Sequence, residues 1–493
     1  MKRLIAIAVL LSVVFSIGLP LVGTTTAFAA GKVSSSYRYL KGIGKVQYKM
    51  FEDTSRGIVL HDFNGDGYTD VGYGTGGHCV PGAECAGNQT TGRAEIFLND
   101  RKGRLNLKTK QAFAGKPLSW KLGEAFHVSI AYDPKMNGKS TLADITGDGR
   151  ADWLLFNSRN TMYPKKTSII QLRPTGKLKV GPRKTPLITY HSGSLADIDN
   201  DGDLDLISSC GDASIFYNNG KGKFSCKNYD RTVEYPPYKR CWDTFYWKQP
   251  NLNKNGWNYT ALVIDLDKDG LPEIITAHGN AIDPDLNDPK PQNSAKIFVF
   301  KNTDGKRGTF KKVQTIPGPG KWPDQKGRKF SVWAADTQAA DLDGDGDLDG
   351  LFYHECGDFC SGTNPIVILK NLGNGKVKRW QIINASPARG GYVNSAYNKL
   401  SGAPQVVDLN GDKRPDLVGN YAHNYNGSMK DAHKQIWMNK GNGKFKRLTT
   451  KIFAKVSGNS RKAKIIALHA NKDKKIDWLV IWSDGTYGTL IAR

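Results

Sequence analysis

Seven stretches of the chain set oxygen-bearing side chains on alternate residues, which is the spacing needed to wrap a short loop around a hard cation. The first runs Asp62, Asn64, Asp66, Gly67, Asp70 and the second Asp144, Thr146, Asp148, Gly149, Asp152. The third is Asp197, Asp199, Asp201, Gly202, Asp205 and the fourth Asp265, Asp267, Asp269, Gly270, Glu273. The fifth reads Asp341, Asp343, Asp345, Gly346, Asp349. The sixth, Asp408, Asn410, Asp412, Lys413, Asp416, has lost the glycine, and the last, His469, Asn471, Asp473, Asp477, has lost the leading carboxylate too. Calcium takes six to eight oxygens at ~2.3–2.6 Å. Positions 1, 3 and 5 supply alternate inward oxygens, and a left-handed glycine at position 6 lets a carbonyl at 7 and an acid at 9 reach the same point. The expected cofactor is therefore Ca2+, about four to six ions.

The residues after each loop exclude a helix-loop-helix hand. The acidic runs pass into Val-Gly-Tyr, Trp-Leu-Leu-Phe, Leu-Ile-Ser-Ser and Ile-Ile-Thr-Ala, which read as strands. Farther along each unit a hairpin recurs, as in Ile215-Phe-Tyr-Asn218-Asn-Gly220-Lys-Gly222-Lys-Phe224 and Ile436-Trp-Met-Asn439-Lys-Gly441-Asn-Gly443-Lys-Phe445. One unit is then strand, acidic loop, strand, connecting loop, strand, Asn-Gly turn, strand. Long helix-period patterns are absent, and the 54 glycines suit many tight turns.

Acidic loops leading to an Asn-x-Gly-x-Gly-x-Phe hairpin resemble the FG-GAP/VCBS repeats of integrin-α-like, calcium-binding extracellular propellers. The resemblance covers nearly all of the chain after residue 30. It implies an all-β, seven-bladed β-propeller with four-stranded antiparallel blades and calcium in the loops. It implies no single activity, because such propellers serve as adhesins, lectins and polysaccharide-cleaving enzymes. Unit starts near 62, 144, 197, 265, 341, 408 and 469 fit seven blades in one domain spanning 30–493. Only two strands come after Asp477 in its unit. The segment Tyr37–Tyr48, with Leu40-Lys-Gly42-Ile-Gly44, echoes the hairpin ending and is expected to supply the missing strand, closing the ring and removing an open edge.

Residues 1–29 read as a signal peptide, with Lys2 and Arg3, an apolar run from Leu4 to Leu21, and Ala27-Phe28-Ala29 before the cleavage point. No membrane span is expected once it is removed. The expected location is secreted or periplasmic and the expected state a monomer. Seven cysteines are present, of which Cys79 with Cys85 and Cys356 with Cys360 could close small loops, the connectivity of Cys210, Cys226 and Cys241 staying open. A formal charge of +24 draws the chain toward anionic polymers. No nucleic-acid partner is expected, since no motif for one is present.

The long connections 75–91, 277–294, 352–364 and 420–434, with the blade links, fall on the face opposite the acidic loops, where a rigid scaffold would carry its binding function. Trp242, Tyr246, Trp247, Trp322 and Trp333 are the candidate ligand-binding residues, since indole and phenol rings stack on sugars. His278, His354, Tyr421 and His423 are the candidate catalytic residues. The leading expectation is an adhesion- or lectin-like surface for an extracellular or cell-surface glycan, an anionic polymer or a protein ligand. The alternative is a polysaccharide lyase, with histidine or tyrosine taking a proton beside a neutralised uronate. No Ser-His-Asp order, Gly-x-Ser-x-Gly elbow, His-Glu-x-x-His run or phosphate loop is present.

Overall fold

A computed structural model describes residues 32–46, 58–74, 91–115, 119–121, 124–127, 142–158, 168–173, 177–180, 192–210, 212–225, 229–230, 240–241, 261–278, 296–305, 310–319, 321–323, 329–331, 333–355, 365–384, 404–419, 432–433, 435–456, 463–482 and 484–493. The expected leader, Trp242, Tyr246, Trp247, Tyr421 and His423 lie outside the described residues, as do most of the long connections. The disulfide expectations fall on cysteines outside the described residues or side chains.

The chain forms a seven-bladed, all-β propeller. Blade I is built from Ile58–His61, Asp70–Gly74, Thr91–Asn99 and Leu105–Leu107, with Ser119–Lys121 added beside Thr91–Arg93. Blade II comprises Glu124–His127, Asp152–Ser158, Ser168–Leu172 and Leu178–Val180. Blade III has Ser192–Ala196, Asp205–Cys210 and Asp212–Phe216, its outer position marked by a bridge between Tyr217 and Ser225. Blade IV runs Ala261–Ile264, Glu273–His278, Lys296–Asn302 and Phe310–Pro317, and blade V Trp333–Ala340, Asp349–Glu355, Pro365–Asn371 and Val377–Asn384. Blade VI has Gln405–Val407, Asp416–Val418, Ile436–Asn439 and Phe445–Arg447. Pairing within the blades is antiparallel, and the first strands of neighbouring blades pack on one another, which sets them innermost. The one α-helix among the described residues is the single turn Thr109–Ala112 after blade I.

Blade VII closes the ring as its sequence echo predicts. Ala463–Leu468, Asp477–Trp482 and Tyr487–Ala492 are joined by Tyr37–Lys41, in register from Tyr37 opposite Ala492 to Lys41 opposite Gly488. The strand is shorter than the expected Tyr37–Tyr48: the ladder ends at Lys41, and Gly42 adds one more bond by donating its amide to the Tyr487 carbonyl at 2.9 Å. The chain then continues beside the sheet, with the Val46 amide donating to the Gly485 carbonyl.

The core is divided among the junctions. Among the described residues there are seven apolar clusters, one between each pair of adjacent blades. Phe63 with Trp153 joins I to II, Ile169 with Phe216 joins II to III, and Ile215 with Ile274 joins III to IV. The seventh cluster, holding Phe97, Leu479 and Tyr487, joins VII back to I. Because each sheet is covered on both faces, inner strands such as Ala463–Leu468 and Asp477–Trp482 are buried along their whole length and show no in–out alternation. Burying this surface supplies the main stabilisation, at about 25 cal/mol per Å² of apolar area.

Candidate functional site

Each acidic loop turns from the first strand of its blade into the second, and its geometry follows from the side chains' competition for backbone N–H groups. In blade I the Asp62 carboxylate accepts the Asp66 amide at 3.0 Å and the Gly67 amide at 2.7 Å, while Asp66 accepts the Tyr68 amide at 3.0 Å. The same closure recurs at Asp144, Asp197, Asp265 and Asp341. Position 6 takes a positive φ throughout, from 77° at Gly149 to 89° at Gly202 in the loops that keep the glycine. The lost glycine of the sixth loop does not change the turn: Lys413 adopts φ 66° and still donates its amide to Asp408 at 2.8 Å. In the seventh, His469 replaces the leading acid and places Nδ1 3.1 Å from the Lys475 carbonyl.

Carboxylate oxygens of Asp197, Asp199 and Asp205, of Asp265, Asp267 and Asp269, and of Asp341, Asp343 and Asp349 gather within 4.8 Å of one another. Such separations suit oxygens sharing one calcium ion at ~2.3–2.6 Å. The donor set is all-oxygen and anionic, so it fits a hard divalent cation.

The ninth-position acids do a second job. Asp70 accepts the Phe63 amide on one oxygen at 2.9 Å and the Asn99 amide on the other at 2.7 Å. The pattern repeats at Asp205, Asp349, Asp416 and Asp477. Each such oxygen keeps a further lone pair for a cation. Burial pushes these carboxyls up, Asp70 to about 8, Asp205, Asp349 and Asp416 to about 7, and Asp477 to about 6, against the N–H bonds that pull them down. Blade II departs: Leu172 stands where blades I, III, IV, V and VI have asparagine and blade VII has Ala492, and Asp152 Oδ1 has no hydrogen-bond partner.

That asparagine also links neighbouring blades. Asn99 donates from Nδ2 to the Ala470 carbonyl of blade VII at 2.7 Å. Asn218 does so to Ile145 at 2.9 Å, Asn302 to Ile198 at 2.8 Å and Asn439 to Leu342 at 2.7 Å. In each case the acceptor is the second residue of the preceding blade's acidic loop. Acidic loops and Asn-Gly turns therefore share one face of the disc.

The candidate ligand residues are placed unevenly. His278 ends a strand of blade IV opposite Lys296, Trp322 lies in a short ribbon with Lys329–Ser331, and Trp333 begins blade V opposite Glu355. His354 is wholly buried inside blade V, its Nδ1 3.1 Å from the Phe352 carbonyl, and burial pulls its pKa down to about 4. It is neutral and enclosed at physiological pH.

A feature that sequence reading missed lies on the outer edges. Lys179 of blade II, Lys311 of IV, Lys378 and Arg379 of V, Lys446 of VI, and Arg38 and Lys41 of VII are exposed on the outermost strands. In Leu178-Lys179 and Phe445-Lys446 the exposed lysine follows a buried apolar residue, and that short in–out step was the signal. Edge lysines discourage sheet-to-sheet pairing, and together they form a cationic rim.

Residues 197–276, spanning the acidic loops of blades III and IV, match an FG-GAP-like repeat. No curated protein sequence matches the chain. Among solved structures, the Dos1 propeller is similar at 10% identity and a TM-score of 0.38, covering 89% of this chain and 93% of that one. A rhamnogalacturonan lyase from Bacillus licheniformis is similar at 12% identity and a TM-score of 0.26, with 91% of each chain covered. No helix among the described residues is long and apolar enough to cross a membrane.

Proposed function

We propose that this seven-bladed β-propeller of FG-GAP-like repeats is an exported, calcium-stabilised module that binds an anionic extracellular glycan. The observation that carries the reading is charge placement. Acid groups are gathered in the loops of one face, whereas the outermost strands of blades II, IV, V, VI and VII expose Lys and Arg. With a net +24, the rim attracts a polyanion at long range, and the long connections between strands would supply the contacts that discriminate between sugars. Calcium, when bound, neutralises the clustered carboxylates and fixes the turns from which the strands start. In blade III, Asp197, Asp199 and Asp205 would hold it, with Asp201 at the fifth position alongside.

Immobilised pectic, alginate or glucuronan polymer is expected to retain the protein at low salt and release it at ~1 M salt, where the screening length falls to about 3 Å. Retention of equal strength on neutral polysaccharide would remove the anionic ligand from the reading. New ultraviolet absorbance from unsaturated uronates during the incubation would establish a lyase in place of a binding module. For the metal, the Asp199→Ala/Asp201→Ala variant is expected to bind one ion fewer by calorimetric titration. At calcium 100-fold above the dissociation constant it should also lack about 2.7 kcal/mol of ligand-linked stability at that site. Identical titrations of variant and parent would eliminate blade III as a calcium site.

A further inference from the structure

Two of the acidic loops already hold a cation of their own. The residue just before the linking asparagine runs along the strand opposite the ninth-position acid. It is apolar in blades I, III and VI (Leu98, Tyr217 and Met438), and Ile491 holds the corresponding place in blade VII. In blade II it is Gln171, paired with Asp152. In blades IV and V it is Lys301 and Lys370.

Both lysines turn into their loops. Lys301 Nζ donates to Asp267, to Asp269 at 2.9 Å, and lies 3.5 Å from Glu273 Oε1, meeting the third, fifth and ninth positions together. Lys370 Nζ donates to Asp343 and to Asp345 at 2.9 Å, and stands 5.1 Å from the centre of the Trp380 ring, whose face holds it from the other side. A further lysine, Lys268, ties the two loops together by pairing with Asp347 at 2.5 Å. Elsewhere the basic partners differ in kind. Arg101, Arg150 and Arg414 each touch only the fifth-position acid of their loops, from more exposed positions. An arginine on the outside of a loop can coexist with an ion at its centre, whereas an ammonium bonded to both the third and fifth acids occupies the oxygens that the ion needs.

We propose that Lys301 and Lys370 are built-in counter-ions that close the acidic loops of blades IV and V without a divalent metal, and that calcium goes to other loops. The proposal rests on the calcium reading above only for that second half. It divides repeats of near-identical acidic sequence into two kinds by one residue about 30 positions downstream. Blades IV and V are then held by salt bridges that respond to ionic strength, and the remaining loops respond to free calcium.

Lys301→Met/Lys370→Met, which installs the residue of blade VI, and the milder Lys301→Gln/Lys370→Gln, which installs that of blade II, test both halves. In EDTA each pair of substitutions leaves two clusters of carboxylates uncompensated, and the melting temperature is expected to fall by about 2 °C or more. Calcium chloride is then expected to restore it and to titrate with two more ions per chain than the unsubstituted protein. An unchanged melting temperature in EDTA would overturn the lysine role whether or not calcium binds anywhere. Loss of calcium sites from the unsubstituted protein on Asp267→Asn or Asp343→Asn would overturn it too, while leaving the calcium reading standing. Absence of calcium binding to every variant would sink that reading instead, and the EDTA result alone would then decide the lysines.

Discussion

Removal of residues 32–46 is expected to lower the melting temperature by about 5 °C and to make thermal unfolding irreversible. This segment is the outer strand of the last blade. Five residue pairs align it with Tyr487–Ala492, and at about 1 kcal/mol per net hydrogen bond the ladder alone contributes several kcal/mol. Its side chains add to that. Tyr37 stacks on Phe453 at 6.0 Å and receives the Trp478 indole N–H at 3.2 Å, Tyr39 donates its hydroxyl to the Tyr487 carbonyl at 3.2 Å, and Val46 is buried in the cluster joining blades VII and I. Without the segment, Tyr487–Ala492 becomes an open edge with no charged residue of its own, which is the condition for edge-to-edge association. Calorimetry on the shortened chain measures the loss, and a synthetic peptide of residues 32–46 should restore part of it. A shortened chain that melts with the parent would show that the ring does not depend on this strand.

Asp477→Ala is expected to cost about 3–5 kcal/mol, far more than Asp473→Ala in the same loop. Asp477 is fully buried and accepts the Ala470 amide at 3.0 Å and the Ala492 amide at 2.8 Å, so its removal strands two N–H groups away from water at about 1–3 kcal/mol each. The seventh loop lacks the leading carboxylate, so the substitution reports the backbone role free of metal. Asp473→Ala, on an exposed residue in the same loop, should change stability by less than about 0.5 kcal/mol. Burial lifts the Asp477 pKa to about 6. The folded state therefore binds this proton more readily than the unfolded chain. Its share of stability is fullest below the ordinary carboxylate range and declines as the pH rises through 6, a slope the alanine variant should lack. Chemical denaturation at several pH values measures both effects, and equal stability for the two variants would remove the ninth-position acid from the framework of the blade.

The architecture could be read in advance because it is written locally. Each acidic loop and Asn-Gly turn is a run of a few residues, and seven spaced copies leave little choice but radially arranged sheets. The closing strand was legible for the same reason, since Leu40-Lys-Gly42-Ile-Gly44 repeats the ending of other units. The hidden features depend on partners far apart in the chain. Asn99 reaches a carbonyl at Ala470, and nothing in either neighbourhood announces the other. The double use of Asp70 and its counterparts is invisible beside the obvious metal spacing, which accounts for an acid at that position without the backbone. Asp477 shows the difference: the acid persists in a loop whose leading carboxylate is gone, because Ala470 and Ala492 still need an acceptor. Lys301 and Lys370 read as ordinary strand lysines until the hairpin folds them over the preceding turn.

The two ends of the described chain meet, with the Arg493 amide donating to the Ser36 carbonyl at 3.0 Å. A polypeptide emerging from its N-terminus must therefore carry Tyr37–Lys41 unpaired until Tyr487–Ala492 arrives. Assembly of the seventh sheet becomes a checkpoint for synthesis through Ala492: a chain interrupted anywhere before Tyr487 has an opening strand and nowhere to put it. Arg38 and Lys41 are the charged residues of that waiting segment.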